Sequence, residues 1–420
     1  MSKERARDSR SGQKYSYSGS SVSYFMFLVL FYLLLFRDYL DHQITFFKYI
    51  DECIAVLAVP IFIMNLKKNN FRVKIGRGYG IFISLFLLIG LLSNVVFKYQ
   101  SFIHTALPDA FLCVKFWLAV YTGRHIFSKL PLRRYANKIY LHIKAVTILY
   151  LVLACADWRW EIFHANIRYG FRSVHLMYSH PTVFSACCMF LIMILLAIKG
   201  YIANDRFWLA LLLGLMCATL RSKAWGAAIA VVMICYFIFY RKKKFRLRTL
   251  MMFVPLMIAL GWSQIEYYFF RIRNGSARYQ LLDKAVKIAR DHFPLGAGFG
   301  TYGSYYSGVN YSPLYFSYGL SSVHGLKEDA AYFISDSFWP MVLGQTGVFG
   351  LIFYSMSVIA LFRSIQKIRN VSLAFYASAL SGICYLLITS VAESAFVNPL
   401  AVPIAVWIGF LLGQSGKRTE

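Results

Sequence analysis

Five cationic side chains lie in polar segments that border apolar stretches of this sequence. They are Arg168, Arg172, Arg221, Lys223 and Arg278. Arginine and lysine bind phosphate groups, and the arginine guanidinium does so through two parallel hydrogen bonds. Carboxylates are sparse in the same segments, so the protein itself offers these cations few partners. The pattern predicts either a bound phosphorylated lipid or contacts with phospholipid headgroups.

Two side chains in the long polar segment before residue 337 could move a proton. Asp336 directly precedes an apolar run, and His324 lies earlier in the same segment. A carboxylate or an imidazole can take the proton from an attacking hydroxyl. Asp336 could instead cap a helix that begins at Ser337, and both interpretations stay open. His175 and His180 have no third ligand at a suitable spacing, so no metal site is predicted.

The chain that carries these residues is strongly apolar. Of its 420 residues, 59% are hydrophobic and 15% are charged, against about 25% charged in a typical soluble domain. This composition excludes a soluble domain and predicts an all-α polytopic membrane protein. The net charge of +27 is then explained by basic cytoplasmic loops, and no nucleic-acid partner is expected. The eight cysteines lie in or beside apolar runs and predict helix packing rather than disulfides.

About twelve stretches are long and apolar enough to form transmembrane helices. A tight hairpin or one broken helix is expected where Arg221, Ser222 and Lys223 separate the seventh stretch from the eighth. With the N-terminus inside, well over half of the Lys and Arg residues fall in inside segments, so both termini are predicted to be cytoplasmic. The predicted spans are 22–36, 49–66, 79–97, 106–123, 138–156, 181–198, 207–220, 224–240, 249–265, 337–361, 371–389 and 396–413.

The spans divide the chain into regions of different character. Loops longer than about 15 residues are usually functional, so chemistry is predicted on the exoplasmic face. The regions are a disordered basic cytoplasmic tail (1–21), transmembrane helices 1 to 9 with an exoplasmic loop at 157–180 (22–265), a large exoplasmic loop between spans 9 and 10 (266–336), transmembrane helices 10 to 12 (337–413), and a cytoplasmic tail (414–420).

Three features stand out in the large loop. An amphipathic helix is predicted before Pro294, either lying on the membrane surface or holding a ligand anion. The glycines between Pro294 and Gly303 predict close backbone approach, and the lack of a preceding strand argues against nucleotide binding. Seven tyrosines from Tyr302 to Tyr332 suit sugar rings and the membrane interface equally. The apolar positions of the helix are Leu281, Leu282, Ala285, Val286, Ile288 and Ala289.

The order of these motifs resembles the O-antigen ligase and O-antigen polymerase superfamily. Ser222-Lys223-Ala224 lies at the mouth of a span, and Arg278 and the amphipathic helix follow on a long loop. A Pro-x-Gly-x-Gly turn comes next. A motif that begins at Asp336 then leads into a span, and this motif ends with Gln345-Thr-Gly347-Val-Phe-Gly350. The resemblance covers roughly residues 160–360.

Three positions depart from the usual pattern of this superfamily. Asp336-Ser337 stands where the family usually has His-Asn, Gln345 where it has Glu, and Lys223 where it has Arg. The histidine is most characteristic of the ligases that attach polysaccharide to the lipid A core. Its replacement by Asp336 therefore favours the polymerase branch.

The resemblance implies a glycosyltransferase of the bacterial inner membrane that polymerises undecaprenyl-diphosphate-linked repeat units into O-antigen or capsular-type polysaccharide. It implies no cofactor and no metal; the partners are the lipid-linked oligosaccharide, membrane lipids and a regulator of chain length. On this basis Arg278, Lys223 and Arg221 are assigned to the diphosphate, with Arg168 and Arg172 as further candidates. Asp336 is the favoured catalytic base and His324 the second choice.

Two alternatives remain. The chain could be a ligase of the same superfamily that transfers glycan to the lipid A core. It could also be a transporter of lipid-linked oligosaccharides, which twelve spans would suit. Transporters usually show internal repeats and polar residues within their helices. No repeat is visible here, and the only cations predicted deep in spans are Lys115 and Lys144.

Overall fold

The computed structural model describes most of the chain. Three predicted segments lie wholly or largely outside the described residues: the first nineteen residues of the tail, the ninth span at 249–265, and the last four residues. The described residues are 20–68, 78–127, 130–163, 166–203, 205–242, 259, 262, 266–272 and 275–416.

Helices lie over the predicted spans that the described residues cover, and shorter helices lie in the large loop. They are α1 (Ser20–Leu35), α2 (Arg37–Gln43), α3 (Thr45–Lys67), α4 (Tyr79–Phe97), α5 (Phe102–Ile126), α6 (Leu132–Trp160), α7 (Pro181–Ile198), α8 (Asp205–Cys217), α9 (Ser222–Tyr240), α10 (Ala277–Asp291), α11 (Tyr305–Val309), α12 (Pro313–Ser317), α13 (Phe338–Ile368), α14 (Leu373–Thr389) and α15 (Ala401–Gly416). In the described ranges the one sheet is a hairpin of β1 (Ile167–Arg168) and antiparallel β2 (Phe171–Arg172).

Seven of these helices are long and apolar enough to cross a membrane. An eighth is added if α1 and α2, which meet at a bend of 70°, form a single span. Helices α14 and α15 are apolar but shorter. The chain is therefore an all-α, multi-pass membrane protein, while the count of twelve spans stays a prediction.

Loops of one predicted side lie together. The Ser179 backbone N–H donates to Asp38 Oδ2 over 2.7 Å, and Ser394 Oγ donates to the Ser335 carbonyl over 2.6 Å. The contacts of Arg221 with His180 and of Lys223 with Glu393 link these two pairs, so four segments predicted outside share one face. We call this face the outer face. On the side predicted inside, Arg369 donates to the Lys242 carbonyl, and Tyr140, near the inner end of the fifth predicted span, donates to the Ala203 carbonyl.

The bundle packs around α7, which is almost entirely buried. Helices α6, α8 and α14 surround it. Helices α5 and α15 lie close together because each presents glycine to the other. A Cβ atom added to Gly123 would overlap the Val406 backbone, and one added to Gly409 would overlap the Val120 carbonyl. Small residues at such contacts let helix backbones approach closely, which supplies packing energy within a membrane.

The large loop forms a small hydrophobic core of its own, and α10 is part of it. Leu281, Ala285 and Ile288 are buried against the loop and α13, as the amphipathic pattern predicted. Leu282 and Val286, which were assigned to the same apolar side, are 42% and 56% exposed. The apolar side of α10 is thus narrower than predicted, and it is covered by protein rather than by membrane.

The seven tyrosines between residues 302 and 332 differ in burial: two are buried, two are exposed and three are partly buried. Tyr302 and Tyr315 are buried in the loop core, where the Tyr302 hydroxyl donates to the Leu281 carbonyl and the Tyr315 oxygen accepts from the Gly303 N–H over 2.9 Å. Tyr305 and Tyr332 are exposed. Much of the tyrosine enrichment therefore serves loop packing, and only part of it is available to a sugar.

The glycine-rich segment inserts between α4, α5 and α13. The Ala297 and Gly298 N–H groups donate to the carbonyls of Gly344 and Gln345 over 3.0 and 2.8 Å. The Phe299 N–H donates to Asn94 Oδ1 over 2.7 Å, and Asn94 Nδ2 returns a bond to the Phe299 carbonyl. A buried backbone must find such partners, and here two helices supply them.

A buried carboxylate completes this contact. Asp109 Oδ2 accepts from the Gly300 N–H over 2.7 Å and from Gln345 Nε2 over 2.8 Å. Gln345 Nε2 also donates to the Tyr302 carbonyl. Gln345, one of the departures from the family pattern, therefore has a structural role.

Helix α13 is interrupted where the segment meets it. Gly347 has φ 64° and ψ −167°, which breaks the helical path. The break frees the Gly344 and Gln345 carbonyls to accept from the inserted segment. A Cβ atom on Gly347 would lie 2.5 Å from the Leu295 carbonyl oxygen, so only glycine fits here.

A group of charges is buried between α3 and α5. Lys115 forms ion pairs with Asp51 and, over 3.4 Å, with Glu52, and Arg37 Nη2 lies 3.0 Å from Asp51 Oδ1. Lys115, which was predicted to lie inside a span, thus has carboxylate partners from a neighbouring span. A buried charge is tolerated when it is paired in this way.

We expect Lys115→Met to lower the free energy of unfolding by roughly 3 kcal/mol, because Asp51 then loses a buried partner. Lys115→Met combined with Asp51→Asn should recover part of this loss. The control is Lys144→Met. The Lys144 ammonium lies 4.8 Å from the centre of the Tyr140 ring, so its loss leaves no carboxylate of the described residues without a partner and should change the free energy of unfolding little. Thermal unfolding in detergent measures all three, and equal stability of Lys115→Met and wild type would contradict the expectation.

Gly347→Ala should be far more damaging than Gly319→Ala. Both glycines have positive φ, at 64° and 71°, but a Cβ on Gly319 would meet open space. The positive φ alone costs about 1–2 kcal/mol, and Gly347→Ala adds overlap with the Leu295 carbonyl. Melting temperatures in detergent compare the two variants. Similar values would mean that the insertion does not depend on this glycine.

Candidate functional site

Four of the five predicted cations form one connected group on the outer face, near the starts of α7, α9 and α10. Arg278, in the first turn of α10, places Nη2 at 3.2 Å from Asp336 Oδ2. Lys223, in the first turn of α9, lies within electrostatic reach of Arg278, Arg221 and Asp336. Residues that are distant in sequence thus meet at one place, which the motif order alone did not establish.

Lys223 forms an ion pair with Glu393, a residue to which sequence reasoning gave no role. Glu393 lies between α14 and α15, and both side chains are mostly buried. The available signal was weak: Glu393 is the one carboxylate in the short segment predicted outside before the last span. The pair fixes the Lys223 ammonium at the edge of the cation group.

Asp336 does not cap α13. The helix begins at Phe338 with Ser337 as its N-cap residue, and no side chain bonds to the end of the helix there. The helix-cap interpretation of Asp336 is therefore wrong, and the carboxylate turns to Arg278 instead. Burial raises the pKa of Asp336 above its usual value, although Arg278 and Lys223 act in the opposite direction. A carboxylate in this setting can accept a proton.

His180 lies beside Arg221 at the start of α7. Its Nδ1 accepts from the Thr182 N–H over 3.2 Å, and its Nε2 is 3.0 Å from Arg221 Nη2. Partial burial lowers the pKa of His180 to about 4, and the charges of Arg221, Lys223 and Arg168 add to this effect. The imidazole is therefore neutral at neutral pH. Sequence reasoning considered His180 only as a metal ligand.

The two arginines of the β-hairpin differ in their surroundings. Arg168 is close enough to His180 to lower its pKa, so it belongs to the cation group. Arg172 Nη1 lies 2.7 Å from Glu161 Oε1, and its Nη2 lies 3.4 Å from Asp157 Oδ1. These contacts hold the hairpin against the end of α6 and compensate the Arg172 charge within the loop.

His324, the second-choice base, lies elsewhere on the loop. It is exposed, and its ring centroid is 6.3 Å from that of Phe333. In the part of the chain that the structure describes, no contact joins His324 to Asp336 or to the cations. The structure therefore brings Arg278 and Lys223 to Asp336, places Arg221 and Arg168 beside the neighbouring His180, and leaves His324 apart.

The charges of this group of residues indicate what kind of ligand it can bind. Arg278 pairs with Asp336 and Lys223 with Glu393, and Arg221 and Arg168 add positive charge around the neighbouring His180. Positive charges that lie together attract an anion. An anion bound beside Arg278 would also lie beside Asp336, which could accept a proton.

No protein-family model and no curated protein matches the chain.

Proposed function

We propose that this protein is a glycosyltransferase that polymerises undecaprenyl-diphosphate-linked repeat units into O-antigen or capsular-type polysaccharide. The observation that carries the proposal is the contact of Asp336 with Arg278, with Lys223 nearby, beside His180 and its neighbours Arg221 and Arg168. The proposal includes the finer membrane arrangement: about twelve spans in a bacterial inner membrane, both termini in the cytoplasm, and the outer face exoplasmic.

The cations would stabilise the leaving group. In the proposed reaction, the bond between the anomeric carbon of the donor glycan and the diphosphate oxygen breaks, and the electron pair stays on that oxygen. Negative charge on the diphosphate therefore grows in the transition state. Arg278 and Lys223 are fixed by Asp336 and Glu393 before the ligand arrives, so little reorganisation is needed. Preorganised charge of this kind is usually the largest single contribution to catalysis.

Asp336 would take the proton from the acceptor. A sugar hydroxyl of a second lipid-linked unit attacks the anomeric carbon, the new glycosidic C–O bond forms, and the hydroxyl proton passes to the Asp336 carboxylate. Burial raises the pKa of Asp336, which brings it closer to the value that a base needs near neutral pH. Because Asp336 touches Arg278, the proton acceptor and the diphosphate site are adjacent.

The first test is reconstitution of the purified protein in detergent with synthetic undecaprenyl-diphosphate repeat units. A ladder of products spaced by one repeat unit would support a polymerase. Transfer only after addition of a lipid A core acceptor would support the ligase alternative. No transfer under either condition would overturn the proposal and favour a transporter, an interpretation that the buried charges around Lys115 would suit.

Arg278→Ala should lower the rate of chain extension by about 10²–10³-fold, because it removes one positive charge from the diphosphate site. Arg290→Ala is the matched control, since Arg290 lies on the same helix and is largely exposed. Product ladders and rates from equal amounts of folded protein measure the difference. If Arg278→Ala gives the wild-type product ladder at the wild-type rate, Arg278 does not act at the diphosphate site.

Asp336→Asn should lower the rate by about 10²–10⁴-fold, the usual contribution of a general base. Because only the carboxylate accepts a proton, the wild-type rate should fall as the pH drops through the raised pKa of Asp336. The residual activity of Asp336→Asn should lack this acidic limb. Asp329→Asn, in the exposed part of the loop, serves as the control and should keep both the rate and the pH profile.

A further inference from the structure

The contact between His180 and Arg221 presents a hydrogen-bonding conflict. His180 Nδ1 faces the Thr182 backbone N–H at 3.2 Å, and Nε2 faces Arg221 Nη2 at 3.0 Å. A backbone N–H and a guanidinium can only donate. Both ring nitrogens would therefore have to accept, yet a neutral imidazole carries one proton and has only one acceptor nitrogen.

No protonation state of His180 satisfies both neighbours. With the proton on Nε2, the ring accepts from Thr182 but points its N–H at the guanidinium. A proton on Nδ1 satisfies Arg221 and points an N–H at the Thr182 N–H. The imidazolium places donors against both. The helix cap is a local contact of α7, so the first state keeps the cap and leaves the conflict at Arg221.

An anionic oxygen between His180 and Arg221 would resolve the conflict, because it accepts from both donors. We infer that His180 is a further ligand-binding residue, whose Nε2–H donates to a phosphoryl oxygen that Arg221 also binds. This inference rests on the proposed function and extends it, since it adds a neutral donor to a group of cations.

The surroundings of His180 agree with this role. Arg168 and Lys223 approach from β1 and α9 and add positive charge, and His175 lies on the same loop. The nearby carboxylate, Asp38, accepts from the Ser179 N–H and hydroxyl over 2.7 and 2.9 Å and is thus engaged by Ser179. The low pKa of His180 keeps the ring neutral at the pH of the cell, so it can donate only through the nitrogen that does not cap α7.

Two substitutions separate the cap from the donor. His180→Asn keeps a good N-cap acceptor near the backbone but has no donor at the position of Nε2. His180→Gln reaches that position with its amide N–H but caps poorly. We expect His180→Asn to melt like wild type and to bind undecaprenyl diphosphate about tenfold more weakly, the effect of losing one hydrogen bond to a charged group. His180→Gln should melt at a lower temperature and bind like wild type.

The binding assay uses purified full-length protein in detergent, with undecaprenyl diphosphate as the probe and phosphatidylglycerol as the competing source of phosphate. His324→Asn is the control and should bind like wild type. Equal affinity of wild type and His180→Asn would overturn the inference.

The same assay separates the inference from the proposed function. If Arg278→Ala weakens binding while His180→Asn does not, the inference fails and the proposed function survives. If wild type does not bind undecaprenyl diphosphate, the proposed function fails first and the inference with it. If the protein binds phosphatidylglycerol more tightly than undecaprenyl diphosphate, the site belongs to a lipid headgroup and the inference is overturned.

A measurement on the wild-type protein covers the case in which the variants do not fold. Diethyl pyrocarbonate acylates neutral imidazole nitrogens, and mass spectrometry of peptides locates the products. Saturating undecaprenyl diphosphate should reduce modification of His180 at least severalfold and leave exposed His324 unchanged. Modification of His180 that is unaffected by bound undecaprenyl diphosphate would overturn the inference.

Discussion

The insertion of a polar backbone segment among apolar helices is the constraint on which the outer face depends. Residues 295–303 run between α4, α5 and α13, where every N–H and carbonyl needs a partner. Asn94 and Asp109 supply side-chain partners, and the break of α13 at Gly347 supplies two carbonyls. Because this segment directly follows α10 and lies against α13, it also sets the distance between Arg278 and Asp336.

The two charge groups of the protein contrast in how they are balanced. Around Lys115, two carboxylates and two cations pair with one another within the bundle. On the outer face, the pairs Lys223–Glu393 and Arg278–Asp336 lie near His180, around which Arg221 and Arg168 also place positive charge. The first group is suited to holding helices together. The second is the one that the proposed reaction uses, because cations that lie together attract an anionic ligand.

The sequence predicted the parts of the structure that depend on local pattern. Apolar runs located the helices, and the amphipathic spacing located α10, because burial within a span or a helix face is a property of neighbouring residues. The glycine-rich segment was expected to allow close backbone approach, and that prediction is confirmed by its contacts with Gly344 and Asn94.

What the sequence could not predict are pairings between distant segments. Glu393 meets Lys223 across 170 positions, and His180 meets Arg221 across 41, distances at which no spacing rule operates. The cap role suggested for Asp336 failed for a related reason, since Arg278 on α10 competes for the carboxylate. Leu282 and Val286 have the right spacing for burial, but the loop core covers only one side of their helix.

The contacts of Asn94 and Asp109 also have a consequence for biosynthesis. Their partners Phe299, Gly300 and Gln345 lie between 191 and 236 residues further along the chain. Helices α4 and α5 therefore enter the bilayer long before the ribosome has made the groups that satisfy them. During that interval an amide and a carboxylate must be sheltered by the insertion machinery, by water or by neighbouring helices. A chain that stalls before residue 345 carries Asp109 without its glutamine partner, and such a polar defect in the bilayer would distinguish an unfinished chain from a complete one.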